Sequence, residues 1–402
     1  MTDDTSRVPK LRFPGFAGAW EQRKLRDYLV PSKEKNSALS YGKDEVLSVS
    51  GDAGVVNQIQ FQGRSYAGAS TKDYGVVQTG DVIYTKSPLK KNPFGIIKTN
   101  KGKAGIVSTL YAVYKPKDNT YTPFVEVYFD DDARLNNYLR PLVNKGAKND
   151  MKVSKSGALT GLICFPGATE QRMLSEFFQQ LEDLITLHQR KLSHLRQLKK
   201  GLLQKMFPKS GEDRPEVRFP GFADAWEQRK LSDLFIEGGS GGTPKSTNKA
   251  FYDGDIPFLG ISDITKSNGF INNTEKHISS DGLNSSAAWI VSKGAISLAM
   301  YASVGKLAIL NIDAATSQAF YNMIFDDYDL RDLVYQRLNK ANELSEWNKL
   351  ISTGTQSNLN ADKVKNFQMY LPKNHDEIKL ISTFFKQIDN TIDLHQRKQL
   401  NI

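Results

Sequence analysis

The longest uninterrupted helical pattern in this chain runs from Thr169 to Phe207. The stretch has no glycine before Gly201 and no proline before Pro208, so nothing breaks a helix early. At 1.5 Å per residue such a helix would be about 60 Å long. Apolar side chains, together with one histidine, recur in alternating steps of four and three residues, which is the heptad rule of a coiled coil. The predicted seam residues are Leu174, Phe178, Leu181, Ile185, His188 and Leu192.

A second stretch, Asp376 to Ile402, repeats this pattern 207 residues later. The word LHQRK begins at Leu187 and again at Leu394. Burial of several Phe, Leu and Ile side chains, each worth roughly 1.5 to 3 kcal/mol, would drive the two helices together. We therefore predict an intramolecular coiled coil that spaces two repeated units. Its second-helix seam residues are Ile381, Phe385, Ile388, Ile392 and His395.

A second duplication marks where each unit begins. The segment Arg12 to Leu25 reads RFPGFAGAWEQRKL, and Arg218 to Leu231 reads RFPGFADAWEQRKL. Only one position differs, and an identity this long is a true internal repeat. The motif combines a Pro-Gly turn with aromatic anchors, so we interpret it as structural. The predicted layout is a globular region at 1–167, a helix at 168–207, a linker at 208–217, a second globular region at 218–373 and a final helix at 374–402.

Composition limits the class of protein. The 402 residues are long enough for two or more domains, and no apolar run approaches the roughly 20 residues of a membrane span. The N-terminus has no apolar signal core, so we expect a cytoplasmic protein. Cys164 is the only cysteine, which excludes an internal disulfide and a cysteine-cluster metal site. The net charge of +10 favours an anionic partner, nucleic acid first.

The first globular region contains strand-like runs rich in Val, Ile, Tyr and Thr at 45–49, 81–85, 105–114 and 159–165, and a predicted helix at 132–143. A basic loop follows the second run, and a second basic patch precedes the fourth. Clustered lysines on a strand-bounded scaffold predict a surface that faces phosphates. The candidate DNA-binding residues of this region are Lys86, Ser87, Lys90, Lys91, Asn92, Lys101, Lys148 and Lys152.

The second globular region has the same borders but a different interior. Its Gly-rich segment at 238–245 lacks the Gly-Lys-Ser/Thr ending of a P-loop, so it does not predict nucleotide binding. Small polar side chains on rigid loops can read base edges, and lysines can hold phosphates. The candidate DNA-binding residues here are Thr243, Lys245, Ser246, Ser262, Lys266, Tyr301, Ser303, Lys306 and Gln356. A protein that recognises two different DNA half-sites needs two similar frames with different side chains, and matching borders with divergent interiors fit that need.

These features together resemble the specificity subunits of type I restriction-modification systems. The resemblance rests on the duplicated RFPGF-x-x-AWEQRKL words, the long helix ending LKKGLLQKMF, and the segment GGTPK…YDGDIPFLGISDI at Gly241 to Ile264. It implies an α+β fold of two target-recognition domains of mixed α/β structure. Two long helices would separate these domains as an antiparallel intramolecular coiled coil, with pseudo-two-fold symmetry. Each domain would read one half of a bipartite, asymmetric site in double-stranded DNA.

The resemblance also implies the partners. Two modification (methyltransferase) subunits would dock on the helices and carry S-adenosylmethionine, and restriction/translocase subunits would add ATP-driven, Mg-dependent chemistry. This chain itself would bind no cofactor, hold no metal, have no catalytic residue and act on no membrane. The sequence departs from the pattern at one place, since no second copy of KKGLLQKMF follows the second LHQRK word. The paired part of the coil is then shorter than the central helix, or the tail of that helix contacts something else.

The sequence offers three other interpretations. Asn92-Pro93-Phe94 is similar to the catalytic motif of adenine methyltransferases but lacks its second proline, and no cofactor-binding loop precedes it. His188 and His395 hold equivalent seam positions, where polar seam residues are favoured over a metal site without carboxylates. A sequence-nonspecific DNA-binding scaffold would not need two different interiors. The alternatives are therefore the scaffold first and a methyltransferase second.

Overall fold

The computed structural model describes residues 7–145, 151–350 and 359–400. The chain divides into two compact units, Met1–Leu184 and Ile185–Ile402. This division lies inside the central helix. The reason is packing, because Leu174 at the start of the helix lies against the core of the first unit, whereas Leu203 and Phe207 lie in the core of the second.

The first unit is built mainly of short strands with three small helices. Its strands are β1 (Glu21–Lys24), β2 (Leu29–Pro31), β3 (Leu47–Ser50), β4 (Gly54–Asn57), β5 (Gly75–Val77), β6 (Val82–Thr85), β7 (Ile97–Thr99), β8 (Gly105–Val107), β9 (Tyr111–Pro116), β10 (Asn144–Lys145), β11 (Met151–Lys152) and β12 (Leu162–Phe165). Its helices are α1 (Gln58–Gln62), α2 (Thr122–Tyr128) and α3 (Asp132–Leu139), followed by the first part of α4 (Ala168–Met206).

A four-stranded antiparallel sheet, ordered β2-β9-β6-β7, forms the centre of this unit. Its strands are short and β-branched, and β6, β7 and most of β9 are buried. Aromatic residues of α2 and β12 close one side, with Phe124 and Phe165 edge-to-face at 5.0 Å between ring centroids. Two smaller two-stranded sheets, the hairpin β3-β4 and the pair β5-β8, pack beside it. The sheet carries the basic loop, which connects β6 to β7.

The duplicated opening motif forms a clamp in each unit. In the first unit, Nε and Nη2 of Arg12 donate to the two carboxylate oxygens of Glu170, both at 2.7 Å, and Glu170 is buried. In the second unit, Arg218 makes the same fork to Glu377 at 2.6 and 2.8 Å. A bidentate guanidinium–carboxylate pair is strong and directional. The clamp therefore fixes each opening motif to the first turns of a long helix.

The second unit holds the remaining elements. Its strands are β13 (Glu227–Lys230), β14 (Glu237–Ser240), β15 (Ile256–Leu259), β16 (Phe270–Ile271), β17 (Lys276–Ile278), β18 (Ile290–Val291), β19 (Ile296–Ala299), β20 (Leu307–Leu310), β21 (Ala314–Thr316), β22 (Phe320–Ile324) and β23 (Gln368–Leu371). Its helices are α5 (Ile261–Lys266), α6 (Ser280–Asn284), α7 (Tyr328–Glu343), α8 (Ala361–Lys365) and α9 (His375–Leu400), together with the second part of α4.

Two sheets organise this unit. One has the order β14-β22-β19-β20-β16 and the other β17-β15-β21-β18. Most neighbours are antiparallel, but β15 pairs with β21 and β16 pairs with β20 in parallel. Helix α7 covers the larger sheet with Leu333, Val334 and Leu338, which are fully buried. The fold is therefore the mixed α/β structure that the resemblance implies.

The end of α4 is held in the core of the second unit. Leu203, Met206 and Phe207 join the same buried cluster as Ile381 and Phe385 of α9. The Nζ of Lys340 on α7 donates to the last carbonyls of this segment, at 3.2 Å to Phe207 and 2.9 Å to Pro208. A cation at a helix C-terminus satisfies carbonyls that have no partner within the helix. Burial lowers the pKa of Lys340 to about 8.

Within the second unit, α4 and α9 contact each other in antiparallel order. The Nδ1 atoms of His188 and His395 lie 3.3 Å apart, the Nζ of Lys199 lies 2.6 Å from Oδ1 of Asp389, and Phe207 lies against Phe385. Leu192 and Ile392 are also buried. The coiled-coil geometry as such stays a prediction.

The predicted seam differs from the structure at its first turn. Phe178 is 43% exposed, and Leu174 packs against the first unit's own core. Leu181, Ile185 and Ile388 are half-buried.

Most of the sequence-based elements match, with three corrections. The expected strand at 105–114 is two strands, β8 and β9, because residues 108–110 form a turn. The expected helix at 132–143 ends at Leu139. The run 159–165 begins as a short 3-10 helix at 157–159 and becomes a strand only at Leu162. No helix in the described part of the chain is long and apolar enough to cross a membrane.

Candidate nucleic-acid interface

The loops that carry most of the second unit's candidate residues meet at one end of its larger sheet. Strand β14 ends at Ser240 opposite Tyr321, and β19 ends at Ala299 opposite Phe320, so both strands finish where β22 begins. In the smaller sheet, the last residue of β15, Leu259, pairs with Thr316, the last residue of β21. All of these ends therefore surround the short turn 317–319 between β21 and β22.

Contacts to that turn fix the surrounding loops. The hydroxyl of Thr243 donates to the side-chain oxygen of Gln318 at 2.7 Å, and the backbone N–H of Met300 donates to the carbonyl of Ala319 at 2.8 Å. Gly241 lies so close to the turn that a Cβ there would clash with the carbonyl oxygen of Thr316. Only glycine permits this approach of two backbones. The loop bearing Thr243, Lys245 and Ser246 is held on this turn, and all three side chains are exposed.

A buried polar network supports the same region from below. The side chain of Asn322 accepts a hydrogen bond from Ser297 at 2.8 Å and donates to Thr316 at 2.8 Å and to the carbonyl of Gly239 at 3.1 Å. The three side chains are fully buried. Such a network is favourable only when its members are paired, so it specifies one arrangement of β14, β19, β21 and β22. It makes the platform beneath the loops rigid.

The β19–β20 hairpin supplies Tyr301, Ser303 and Lys306. Tyr301 is 40% exposed, and Ser303 adopts a left-handed backbone conformation with φ of 58°. A non-glycine residue in that region costs about 1 kcal/mol, so the surrounding turn over-determines it. The N–H of Lys306 donates to the carbonyl of Ser303 at 3.1 Å, which closes the turn. An exposed aromatic ring beside a hydroxyl and a lysine is a surface that can stack on and hydrogen-bond to a nucleotide.

Ser262 and Lys266 form a separate group on α5. Both contact Glu275: the hydroxyl of Ser262 donates to Oε2 at 3.1 Å, and Lys266 pairs with Oε1. The hydrogen bond from Lys266 holds the pKa of Glu275 below its usual value, and the same pairing raises the pKa of Lys266. A phosphate would have to compete with Glu275 for this lysine.

The first unit presents an equivalent hairpin between β6 and β7. The N–H of Lys86 donates to the carbonyl of Leu110 at 2.9 Å, just as Met300 does to Ala319 in the second unit. Leu110 belongs to the turn 108–110 between β8 and β9, the counterpart of 317–319. Lys90 and Lys91 lie exposed at the tip of this hairpin. Burial, with a further contribution from Lys155, lowers the pKa of Lys86.

Asn92 holds the base of this hairpin. Its Nδ2 donates to Asp132 at 2.7 Å, its Oδ1 accepts from Asn136 at 3.1 Å, and its side chain is 8% exposed. Asp132 and Asn136 belong to α3, so the hairpin is fixed to that helix. Base reading by Asn92 would require these bonds to break. In the geometry described, Asn92 positions the loop while Ser87, Lys90 and Lys91 lie nearer the solvent.

The remaining candidates do not gather with these. The Nζ of Lys101 lies 3.3 Å from Glu126, so an acid already accompanies its charge. Lys152 lies in β11, which pairs with β10. Lys148 and Gln356 lie outside the described residues.

Sequence reasoning missed the turns that organise both sites. Gln318 and its counterpart Thr109 are exposed at equivalent positions, each one residue after a serine that follows a short buried strand. Their importance depends on strands that are distant in sequence, so no local pattern shows it. One signal was available in the sequence. In both halves a short strand is followed directly by a serine and, three residues after that serine, by a strand that begins with an aromatic residue. The two examples are Val107-Ser108 to Tyr111 and Thr316-Ser317 to Phe320.

Among the described residues, one group of side chains could hold a metal ion, formed by Asp327, Asp329 and His375. Its geometry has a structural explanation. The carboxylate of Asp327 caps α7 by accepting from the N–H groups of Asp329 and Leu330, and its other oxygen lies 2.8 Å from Nε2 of His375. The group therefore joins the start of α7 to the start of α9.

Comparison with known proteins agrees with this architecture. Residues 223–402 match the family model described as "Type I restriction modification DNA specificity domain". The chain is 29% identical over 175 residues to the type I restriction enzyme HindI specificity subunit of Haemophilus influenzae, covering 42% of this chain and 37% of that protein. It is 29% identical over 180 residues to the MjaIX specificity subunit of Methanocaldococcus jannaschii, covering 44% and 40%. The match thus spans about two fifths of the length of these curated relatives.

Two solved structures share the fold over nearly the whole chain. The type I restriction-modification system S subunit from M. genitalium matches with a TM-score of 0.59 at 11% identity, covering 98% of this chain and 95% of that one. A chain from a study of complex assembly and conformational transition in the type I R-M system matches with a TM-score of 0.51 at 17% identity, covering 98% and 95%. These comparisons show that residues 223–402 match a type I specificity domain and that the chain is similar in sequence to type I restriction-modification specificity subunits.

Proposed function

We propose that this chain is the DNA sequence-recognition subunit of a type I restriction-modification complex. Each unit reads one half of a bipartite, asymmetric site in double-stranded DNA. The observation that carries the proposal is the pair of equivalent platforms, in which a hairpin is hydrogen-bonded to a short turn at one end of a sheet. The frame is the same in both units while the exposed side chains differ. Recognition of an asymmetric DNA site requires different base-contacting side chains on the two units, and a shared backbone frame can carry them.

Two roles divide the candidate residues, which are exposed or, for Ser87 and Lys306, half-buried. Lysines at the hairpin tips and loops, such as Lys90, Lys91, Lys245 and Lys306, neutralise phosphates and set the position of each unit on the duplex. Hydroxyl and aromatic side chains, such as Ser87, Thr243, Tyr301 and Ser303, contact base edges. Gln318 joins this second group, because it is exposed and already bonded to Thr243. A side chain held by a neighbour loses less entropy on binding DNA.

The long helices supply spacing and partner contacts. Pairing of α4 with α9 as a coiled coil would set the separation between the two half-sites, and the outer faces would receive two modification subunits and, with them, the restriction subunits. Catalysis belongs to those partners, which would bind S-adenosylmethionine, ATP and Mg. Support comes from the family match and from the antiparallel contacts of Lys199 with Asp389 and His188 with His395.

Methylome sequencing tests the proposal directly. The chain is expressed with its modification partner in a host that has no other adenine methylation, and modified adenines are mapped. A single split motif with two unlike halves and a fixed spacer is expected. Methylation scattered without a motif would show a nonspecific scaffold, and methylation by this chain in the absence of its partner would show a methyltransferase.

Substitutions in one unit should affect one half of the motif. Changing Ser303 or Gln318 should relax a base position in one half-site only, at about 1 to 3 kcal/mol of discrimination. Lys90→Gln and Lys91→Gln should each lower the slope of log affinity against log salt by about 0.9 without changing the preferred sequence. Lys117→Gln is the matched control for these lysines, because Lys117 follows β9 at the end away from the hairpin. Lys293→Gln, before β19, is the control for Lys306→Gln.

A further inference from the structure

The turn between β8 and β9 in the first unit and the turn between β21 and β22 in the second have the same backbone frame. In each turn, the N–H of the residue after the turn donates to the carbonyl of the serine that opens it, at 3.1 Å in the first unit and 3.3 Å in the second. The carbonyl of the last turn residue accepts from the N–H that follows the neighbouring strand, at 2.9 and 2.8 Å. Thr109 therefore corresponds to Gln318. Leu110 corresponds to Ala319.

The side chains on these two turns differ in chemistry. In the second unit, Gln318 carries an exposed amide that is bonded to Thr243, and Ala319 is half-buried. In the first unit, Thr109 is exposed and offers a methyl group beside its hydroxyl, and the side chain of Leu110 is 59% exposed. The first unit thus presents mainly apolar carbon at the place where the second presents an amide.

The backbone holds Leu110 in this exposed position. Its carbonyl accepts from the N–H of Lys86 at 2.9 Å, and the next residue, Tyr111, begins β9 and pairs with Thr85 of β6. A single exposed leucine is ordinary on a protein surface, so its location is what matters. Leu110 lies on a fixed turn at the end of the sheet that also carries the candidate DNA-binding hairpin.

The surroundings of this turn are basic and partly apolar. The hairpin segment 86–95 and the turn 108–110 contain three lysines and no acid. Leu89 of the hairpin is 39% exposed and precedes the exposed Lys90 and Lys91. A partner of this surface needs negative charge together with an apolar group. Duplex DNA has both, because its phosphates are anionic and the C5-methyl group of thymine lies in the major groove, which admits a two-stranded hairpin.

We propose that the turn 108–110 of the first unit reads a thymine through its C5-methyl group. Leu110 is the contacting side chain, and Thr109 lies beside it in the sequence with a methyl group of its own. The inference rests on the proposed DNA-recognition function and names the base that one position of the first unit selects. Apolar contact with the thymine methyl group is one of the standard ways in which side chains distinguish bases in the major groove.

The size of the effect follows from the small group that is buried. Removal of one methyl group from water corresponds to about a fourfold change in affinity. Salt dependence should not change, because no phosphate contact is involved.

The test uses the full chain with its modification partner and duplexes that carry the motif found by methylome sequencing. One thymine at a time is replaced by uracil, which lacks only the C5-methyl group, and binding of the labelled duplex is measured by fluorescence anisotropy. Uracil at one thymine of one half-site should weaken binding about fourfold. Leu110→Ala should weaken binding to the thymine duplex by a similar factor and should bind the thymine and uracil duplexes equally at that position.

Leu162→Ala is the matched control. The side chain of Leu162 is 58% exposed, close to the value for Leu110, but it lies in β12, which pairs with β1 and not with the sheet that carries the hairpin. This variant should keep both the affinity of wild type and the loss of affinity with uracil. Circular dichroism checks the folding of both variants, and the exposure of the two leucines leads us to expect that both fold.

Three results would overturn the proposal. The first is binding that uracil does not weaken at any thymine, and the second is a uracil effect that persists at full size in Leu110→Ala. The third is a Leu110→Ala variant that still distinguishes thymine from uracil but no longer associates with the modification partner in light scattering, because the turn would then dock a protein. A chain that shows no preferred motif at all would instead contradict the proposed function, so the two failures can be told apart.

Discussion

The Arg218–Glu377 clamp gives the sharpest test of how each unit is assembled. Both oxygens of Glu377 accept from Arg218, at 2.6 and 2.8 Å, and the side chain of Glu377 is only 1% exposed while that of Arg218 is 14% exposed. Arg218→Ala leaves a buried carboxylate without its cation. Breaking a buried pair in this way costs roughly 3 to 5 kcal/mol. We expect about 3 kcal/mol, because the exposed edge of the guanidinium shows that water can reach part of the site.

The partner substitutions separate charge from packing. Glu377→Gln leaves a neutral amide that still accepts one hydrogen bond, so about 1 to 2 kcal/mol is expected. The double substitution Arg218→Leu with Glu377→Leu removes both charges and should recover most of the loss. Arg12→Ala is the matched experiment in the first unit, since Glu170 is 2% exposed and accepts the same fork.

The assay must resolve the two units, because a two-unit chain need not unfold in one step. Hydrogen exchange followed by mass spectrometry at increasing urea gives a free energy of opening for each segment. Arg218→Ala should lower the free energy of opening at β13 and β23, which pair with each other beside the clamp. The free energy of opening at β1 and β12 should not change. Arg12→Ala should do the reverse. A loss below 1 kcal/mol, or a double variant no more stable than Arg218→Ala, would refute the buried-charge argument.

Three further predictions concern the second unit. Asn322→Ala should lower the free energy of unfolding by at least about 2 kcal/mol in urea, because the buried hydroxyls of Ser297 and Thr316 lose their partner. Lys340 has a folded-state pKa of about 8 against the ordinary 10.5, so the unfolded state binds more protons between these values. The free energy of unfolding of wild type relative to Lys340→Met should therefore rise with pH over that window, by up to about 1.4 kcal/mol per pH unit. A difference between the two proteins that does not change with pH would contradict the lowered pKa of Lys340. Gly241→Ala should push its loop off Thr316 and weaken sequence preference in a DNA-binding assay while salt dependence persists.

Much of the architecture could be predicted from local signals. The stretch from Thr169 to Phe207, which has no glycine before Gly201 and no proline, predicted α4 to within one residue at each end, and the opening repeats predicted two similarly built units. Both signals can be read along the chain without knowledge of the fold: one is the spacing of apolar side chains, and the other is the near-identity of two segments. The lysine-bearing hairpin tip at Lys90 and Lys91 was likewise visible, because polar loops between strands lie at the surface.

The candidate sites show where such signals stop. Asn92 was predicted to read bases from its residue type, yet its amide is bonded to Asp132 and Asn136, some forty residues away. Lys266 counted as a phosphate ligand, but Glu275 already pairs with it. Gln318, for which a base contact is proposed, carries no local signal, because its position follows from the pairing of β21 with β15 and of β22 with β19. Hydrogen-bond partners that are distant in sequence set the surroundings of each of these residues, and their roles toward DNA stay predictions.

The sequence by itself determined the repeat, the long helices and the divergence of the two interiors. Each of these follows from the identity of residues along the chain or from the spacing of its apolar side chains. Only the tertiary structure decided which copy of the repeated helix is covered, because burial depends on what a segment meets and not on what it contains. Phe178 and Phe385 hold the same place in the same pattern, and one is exposed while the other is enclosed by Phe207. Identical local chemistry thus becomes a surface in one unit and a core in the other.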